Sequence, residues 1–349
     1  MRFTRAGLGV AALVSLSACD VPTSLPSYAT LWNVPAKTTS ITVNSFLPSG
    51  VTAMLDNSAF VVTASPSSTA IARQLGQDCA ACAGANGSTV PKPAFTSQGT
   101  SGIAVPGNVM SATLLRDTLT VAITNGYNFD PIRPSAAARG YLIISVKSGA
   151  VTVGRDSLDG SSTSLAAGSV TQRKIPLSGT MNGASGLQIS TTLNSPLGDP
   201  ATIDASRLFT VAASSGPLFV SNAMVNLASQ TVTAAPSDLD LSNIDSTISK
   251  HADSGALLLT VDNPFGATGN LTVNFVGAAS PISKVVPLVA GKSSPSVTFT
   301  KAEVNALLGH HLSVTFSGAV SGNGVVVAPG QIVSVASRLQ VGINVGGTN

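Results

Sequence analysis

Apolar and polar side chains alternate with a period of two along much of this chain. Leu119, Val121 and Ile123 are separated by Thr120 and Ala122, and Leu271, Val273 and Phe275 by Thr272 and Asn274. Val297 and Phe299 flank Thr298 in the same way. Successive side chains of a strand point to opposite faces, so such runs predict strands with one buried and one wet face. Asn125-Gly126, Asn263-Pro264 and Gly269-Asn270 punctuate them and predict turns. Many short strands at close spacing predict an all-β chain of Ig-like β-sandwich domains. A few short helices are expected between them. Thr300-Lys-Ala-Glu303 has the spacing of a capping box, followed by Leu307, Leu308 and a terminating Gly309. Ser242 to Asp245, with Ile244 and Ile248 on one face, and Ser67 to Leu75 are two further candidates.

The pattern also repeats at long range. Residues 51–66 align without gaps on 221–236, sharing Ala-Met, Val-Thr-Ala and a final Pro. Leu119 to Asn125 then matches Leu257 to Asn263, Leu165 to Gly168 matches Leu288 to Gly291, and Leu187 to Leu193 matches His311 to Phe316. Four matches in the same order suggest a duplicated domain. The expected division is a first sandwich over 39–206 and a second over 207–349, the first carrying extra length between Pro66 and Asn125.

The N-terminus follows another rule. Arg2 and Arg5 precede a short apolar run from Gly7 to Leu16, and Ser17-Ala18 supply small residues. That is the layout of a signal peptide over residues 1–18, too short to span a bilayer, which needs roughly 20 apolar residues. Leu16-Ser17-Ala18-Cys19 resembles the bacterial lipobox. The resemblance implies that Cys19 becomes the first residue of the mature chain and carries a diacylglyceryl thioether, usually with a third, amide-linked acyl chain. Two or more chains hold a protein firmly to a membrane, where one does so only marginally. Asp20 resembles an enterobacterial inner-membrane retention signal, a rule that does not transfer safely to other bacteria. Residues 19–38, with several prolines and Trp32, read as a tether. Trp32 has two possible settings, the lipid interface or the end of the first sandwich, and the second is slightly favoured.

Composition narrows the function classes. The chain has 349 residues, 9% of them charged, and a formal charge of +3. Loss of residues 1–18 leaves 16 basic against 15 acidic side chains, which gives no electrostatic footprint for nucleic acid. With Cys19 acylated, Cys79 and Cys82 remain, and outside the cytoplasm thiols tend to pair. A disulfide pinning a loop is expected. A redox motif lacks its strand–helix setting, and haem attachment would need His where Ala83 stands.

No constellation for catalysis, metal or cofactor emerges. His310 and His311 are adjacent, so on a strand they point apart, and His251 is distant. Asp238, Asp240 and Asp245 offer hard oxygens but alternate with Leu239 and Leu241, without the glycine and terminal glutamate of an EF-hand. The chain has no G-x-S-x-G or S-x-x-K, and no phosphate-binding glycine loop between a strand and a helix. Tyr127 and Phe129 lie after one predicted strand and Phe265 after its counterpart, as a loop-tip feature or as plugs beneath loops. Asn263-Pro264-Phe265 faintly resembles the Asn-Pro turn of late-embryogenesis-type-2 (water-stress) β-sandwich domains, from which Asn125-Gly126-Tyr127 departs; no function follows from it. The expectation is a non-enzymatic lipoprotein of the bacterial envelope, facing the periplasm or the exterior. Its membrane contact is the lipid anchor, its partner an unknown envelope protein, and its role structural or interaction work. The alternative is a carrier or chaperone for an apolar ligand held between the sheets.

Overall fold

The structure, a computed structural model, describes residues 28–345. The signal peptide, Cys19 and the start of the expected tether lie outside the described residues. The chain opens with strands β1 (Tyr28–Pro35) and β2 (Thr39–Thr42), a 3₁₀ turn at Val43–Phe46, and the small hairpin of β3 (Val51–Ala53) and β4 (Phe60–Val62). After a cis Ser65–Pro66 bond come β5 (Ser68–Gln74), helices α1 (Leu75–Asp78) and α2 (Ala80–Gly84), β6 (Thr89–Pro91), β7 (Phe95–Ile103) and β8 (Val109–Asn125). Then follow β9 (Tyr141–Ser148), β10 (Val151–Asp159), β11 (Val170–Asn182), β12 (Leu187–Ser195), β13 (Pro200–Thr202) and β14 (Leu208–Ser215). The last part holds β15 (Leu218–Thr233), β16 (Ser237–Asp240), α3 (Ser246–Lys250), β17 (Ala252–Asn263), β18 (Thr268–Val276), β19 (Ile282–Leu288), β20 (Gly291–Ser293), β21 (Ser296–Phe299), α4 (Lys301–Leu307), β22 (His311–Val327) and β23 (Ile332–Val345).

The protein is all-β, as the alternation predicts, and its strands form two sandwiches. In one, the sheet β5-β14-β8-β11 faces the sheet β10-β9-β12-β7. Taking its eight main strands in chain order, the first pairs with the eighth, the second with the seventh, the third with the sixth and the fourth with the fifth. In the other, β2 pairs with β23, β16 with β22, β21 with β17 and β18 with β19, which is the same nesting. This nested order is that of a double Greek-key jelly roll. The Ig-like expectation is corrected on this point, since an immunoglobulin sandwich does not pair its strands as one long hairpin wound on itself. Alternation reports which face of a strand is buried; it carries no information about which strand lies beside it.

The expected division at 206/207 is also corrected. The sandwich of β5 to β14 is inserted into the other, which begins with β1 and β2 and resumes at β15. The cause is the first-to-last pairing. A last strand needs its first strand beside it, and β23 takes β1 and β2 along its edge. Residues 28–38, expected to be tether, therefore belong to the host sandwich. Lys37 N–H donates to Asp238 O at 3.3 Å and Ala36 N–H to Ser337 O at 3.0 Å. Trp32 sits on β1 opposite Val341 rather than capping the inserted sandwich. The two sandwiches share one continuous sheet, because β15 pairs with β8 through Val220–Val225 and with β22 through Ala223–Thr233.

Three local expectations change. Ser67 to Leu75 is a strand, β5, whose Ile71 points inward and whose partner is β14; helix begins only at Leu75. Gly269-Asn270 is not a turn but part of β18. A Cβ at Gly269 would lie 2.2 Å from Ala319 O, so the glycine serves close approach of β22. The helix expected from Ser242 begins later, at Ser246, and Ile248 is exposed on it. The capping box forms as expected: Thr300 Oγ1 accepts from Glu303 N–H, and Glu303 accepts from Thr300 N–H.

Candidate functional site

The most developed polar structures are two buried asparagines at equivalent ends of β8 and β17. Asn125 Nδ2 donates to the carbonyls of Phe129 (2.9 Å), Leu165 (2.7 Å) and Ala166 (3.2 Å). Its Oδ1 accepts from Tyr127 N–H at 2.9 Å. Asn263 Nδ2 donates to Ala267 O and Val289 O, both at 2.9 Å, and its Oδ1 accepts from Phe265 N–H at 3.1 Å. Each side chain thus closes its own turn and ties it to the loop before the sixth strand. In that loop Gly168 and Gly291 both adopt positive φ, at 73° and 76°. Tyr127 and Phe265, two residues after each asparagine, are buried plugs under the turn. Three of the four repeat matches therefore fall on equivalent strands or loops. The match of 51–66 with 221–236 does not: the first stretch is the β3–β4 hairpin, the second the long strand β15.

The Cys79–Cys82 pair is disulfide-bonded and buried, with Cys82 N–H donating to Cys79 Sγ at 3.1 Å. Beside it, Asp78 takes an ion pair from Arg73 and a hydrogen bond from Ser97 Oγ. The carboxylate holds the Arg73 guanidinium above its ordinary range. Arg73 comes from β5, Asp78 from α1 and Ser97 from β7, so this cluster fastens the CxxC loop to both sheets.

At the same end of the inserted sandwich lies Lys92, wholly buried. Its ammonium sits 4.9 Å from the Phe95 ring centre and 5.5 Å from that of Phe129. It donates to Ser195 Oγ at 2.5 Å and to Pro196 O. Burial pulls its pKa down to about 7. Tyr127 stacks nearby, 5.4 Å from Phe129, with its hydroxyl unpartnered and its pKa raised by burial. Lys92 and Ser195 have the residue types of a base and a nucleophile. Ser195, however, is as buried as the lysine, and its hydroxyl donates to Pro131 O at 2.6 Å. Neither residue lines the open cavities described below. The arrangement is an internal lock between β12 and the loop before β7.

Among the described residues no three His, Cys, Asp or Glu side chains gather as metal ligands. His310 is half-buried; His251 and His311 are exposed. Asp238 and Asp240 face solvent while Leu239 and Leu241 are buried. No described helix is long and apolar enough to cross a membrane.

Several open cavities lie on the surface. One of about 510 Å³ lies where the edge strand β5 passes over β7 and β12, lined by Arg73, Gln98, Thr100 and Ser190 among others. Two troughs of about 450 and 530 Å³ occupy equivalent outer faces, floored by Thr120 and Ala122 in one and by Leu258 and Thr260 in the other. Between the sheets the space is filled: Leu119, Val121, Ile123, Ile144 and Val146 in one sandwich, and Leu257, Val273, Leu312 and Phe316 in the other, are 0% exposed.

No family model matches the chain, and no curated protein matches it. Among solved structures, the chain is similar to the following two. A protein described as secreted, from Parabacteroides distasonis, is 9% identical with a TM-score of 0.33, covering 89% of this chain and 99% of its own. The empty top-component particle of cowpea mosaic virus is 12% identical with a TM-score of 0.20, covering 74% of this chain and 92% of its own. Likenesses of this size carry nothing about function. The class defined by the strand pairing is an all-β protein of two jelly-roll sandwiches, one inserted in the other.

Proposed function

We propose that this protein is a lipoprotein of the bacterial envelope, anchored through Cys19, with a structural or protein-interaction role rather than a catalytic one. The two sandwiches are read as copies of one duplicated unit, on the shared nesting and the paired asparagine clamps. The observation that carries the role is where polar chemistry sits. Asn125, Asn263, Asp78 and Lys92 all spend their hydrogen bonds on the protein's own backbone and side chains, and the open cavities lie on outer faces and edges. Such a molecule presents surfaces and loops; it does not gather titratable groups in a cleft, as an acid–base or nucleophilic catalyst must. The filled space between the sheets speaks against the carrier reading, which needs a continuous apolar cavity.

The anchor is tested by growing cells with radiolabelled palmitate. Label should enter the wild type and be absent from Cys19→Ala. Equal labelling of both removes the lipoprotein reading. The interaction role is tested by crosslinking in intact envelopes from residues on the β3–β4 hairpin and the outer troughs. A protein that yields only uncrosslinked monomer from every position refutes it.

A further inference from the structure

Strand β1 is unusual in this fold. It makes a full antiparallel ladder with β23, from Tyr28 opposite Val345 to Pro35 opposite Arg338. Yet seven of its eight residues are exposed. Edge strands are ordinarily stabilised by burying one face. Here Tyr28 is 67% exposed, Leu31 64% and Trp32 36%. Leu31 stands opposite Gly342, which has no side chain to cover it.

Two further facts say what covers it. First, the strand begins close to the anchor: only residues 20–27 separate Cys19 from Tyr28. Nine residue steps reach at most about 30 Å fully extended, so β1 cannot stray far from the acyl chains that the proposed modification places in a bilayer. Second, β1 and the stretch of β23 beside it from Leu339 onward carry no charge. No Asp, Glu, Lys, Arg or His occurs from Val21 to Ala36, nor on β23 from Leu339 onward. On this uncharged strand pair a tryptophan and a tyrosine are the side chains that partition to a membrane–water interface, apolar bodies in the acyl boundary and polar tips among the headgroups, and a leucine adds an apolar body.

We infer that β1 docks edge-on against the bilayer holding Cys19, with Tyr28 and Trp32 on one face of the strand and Leu31 on the other entering the headgroup interface from either side. The lipid anchor then does more than tether. It brings a preformed, uncharged sheet edge onto the membrane and fixes how the host sandwich stands on it. The inference rests on the anchored reading, and its test is arranged so that the two fail separately.

Trp32 is the one tryptophan of the chain, so intrinsic emission reports this strand directly. With Cys79 and Cys82 bonded to each other, Cys19 is the one free thiol of an unmodified mature chain. That chain is coupled through Cys19 to a maleimide-headgroup phospholipid in phosphatidylcholine vesicles, with and without brominated acyl chains. Trp32 emission should shift to the blue, fall at least twofold with brominated lipid, and become shielded from acrylamide. Tyr28→Ser with Leu31→Ser should abolish most of that quenching while the protein stays vesicle-bound with an unchanged circular dichroism spectrum. Emission that ignores brominated lipid in coupled protein overturns the docking. So does shielding of Trp32 that develops with protein concentration in the absence of vesicles, which would place a second copy on the edge of β1. Palmitate labelling that fails while coupled protein still docks sinks the natural anchor alone.

Discussion

Replacing Asn263 by alanine removes three hydrogen bonds at once. The Ala267 and Val289 carbonyls lose their donor and the Phe265 N–H loses its acceptor. The asparagine is completely buried, so water does not replace those partners without opening the turn. At about 1 kcal/mol for each net bond, rising to roughly 1–3 where a buried group is orphaned, the cost is about 3–5 kcal/mol. Asn125→Ala, with four bonds to lose, should cost at least as much in the inserted sandwich. Asn263→Asp sharpens the test. It keeps an oxygen for Phe265 N–H but turns an acceptor toward carbonyls that need a donor. An ionised carboxylate there is disfavoured, so its folded-state pKa rises above the unfolded value of about 4. The defect should then be largest at pH 7 and shrink as pH falls through that raised pKa, because the protonated acid donates once. Urea unfolding followed by circular dichroism, with amide exchange at Phe265 as the local readout, measures both substitutions. A cost below about 1 kcal/mol for Asn263→Ala, or a pH-independent defect for Asn263→Asp, would refute the account of the clamp.

Lys92 supplies a second pH dependence of its own. Its folded pKa of about 7 lies below the unfolded value of about 10.4, so the unfolded chain binds more protons between those values and stability should rise from pH 7 toward 10. The hydrogen bonds to Ser195 and Pro196 and the two facing rings favour the ammonium, holding the gain to about 2–4 kcal/mol. Lys92→Met should flatten that rise; an unchanged slope in the variant would assign it to another group. Reducing the Cys79–Cys82 bond opens only a short loop, so the chain-entropy estimate is about 2 kcal/mol. Thiol titration in denaturant should find two more thiols after reduction than before, and an equal count would show that the bridge is not formed.

Strand faces were legible in the sequence because burial writes itself as alternation. Leu119, Val121 and Ile123 point inward, as do Leu271, Val273 and Phe275. The capping box at Thr300 was legible because it is a local exchange of hydrogen bonds within four residues. What lay hidden was non-local. Asn125 and Asn263 read as turn residues, and only the carbonyls of Leu165 and Val289, 40 and 26 positions away, turn them into clamps. The aligned Leu165 to Gly168 and Leu288 to Gly291 were their other halves, recognised as a repeat without the reason for it. Lys92, in a Pro-Lys-Pro stretch, gave no sign of burial, because its setting comes from Phe95, Phe129 and Ser195 across the fold. Ser67 to Leu75, predicted as helix, is strand: Ser-Thr-Ala-Ile-Ala-Arg has one large apolar side chain, Ile71, too few to set a period, and pairing with β14 decides the outcome.

The two sandwiches share a plan but divide the burden unevenly. The buried charged side chains of the described core, Lys92 and Asp117, both belong to the inserted sandwich. Asp117 lies where β8 passes from β14 to β15. It accepts Phe219 N–H at 2.7 Å, leaves its other oxygen unpartnered, and is raised in pKa by burial. Burying a charged group away from water costs stability. Here that cost falls at the junction where one continuous sheet changes sandwich. The host sandwich buries no charged side chain among the described residues and instead carries the exposed strand β1. A chain that leaves the host after β4, builds the insert and returns at β15 keeps β1 in the host, outside the internally locked unit. An exposed strand bearing Tyr28, Leu31 and Trp32 is separated only by residues 20–27 from Cys19, the residue proposed to carry lipid.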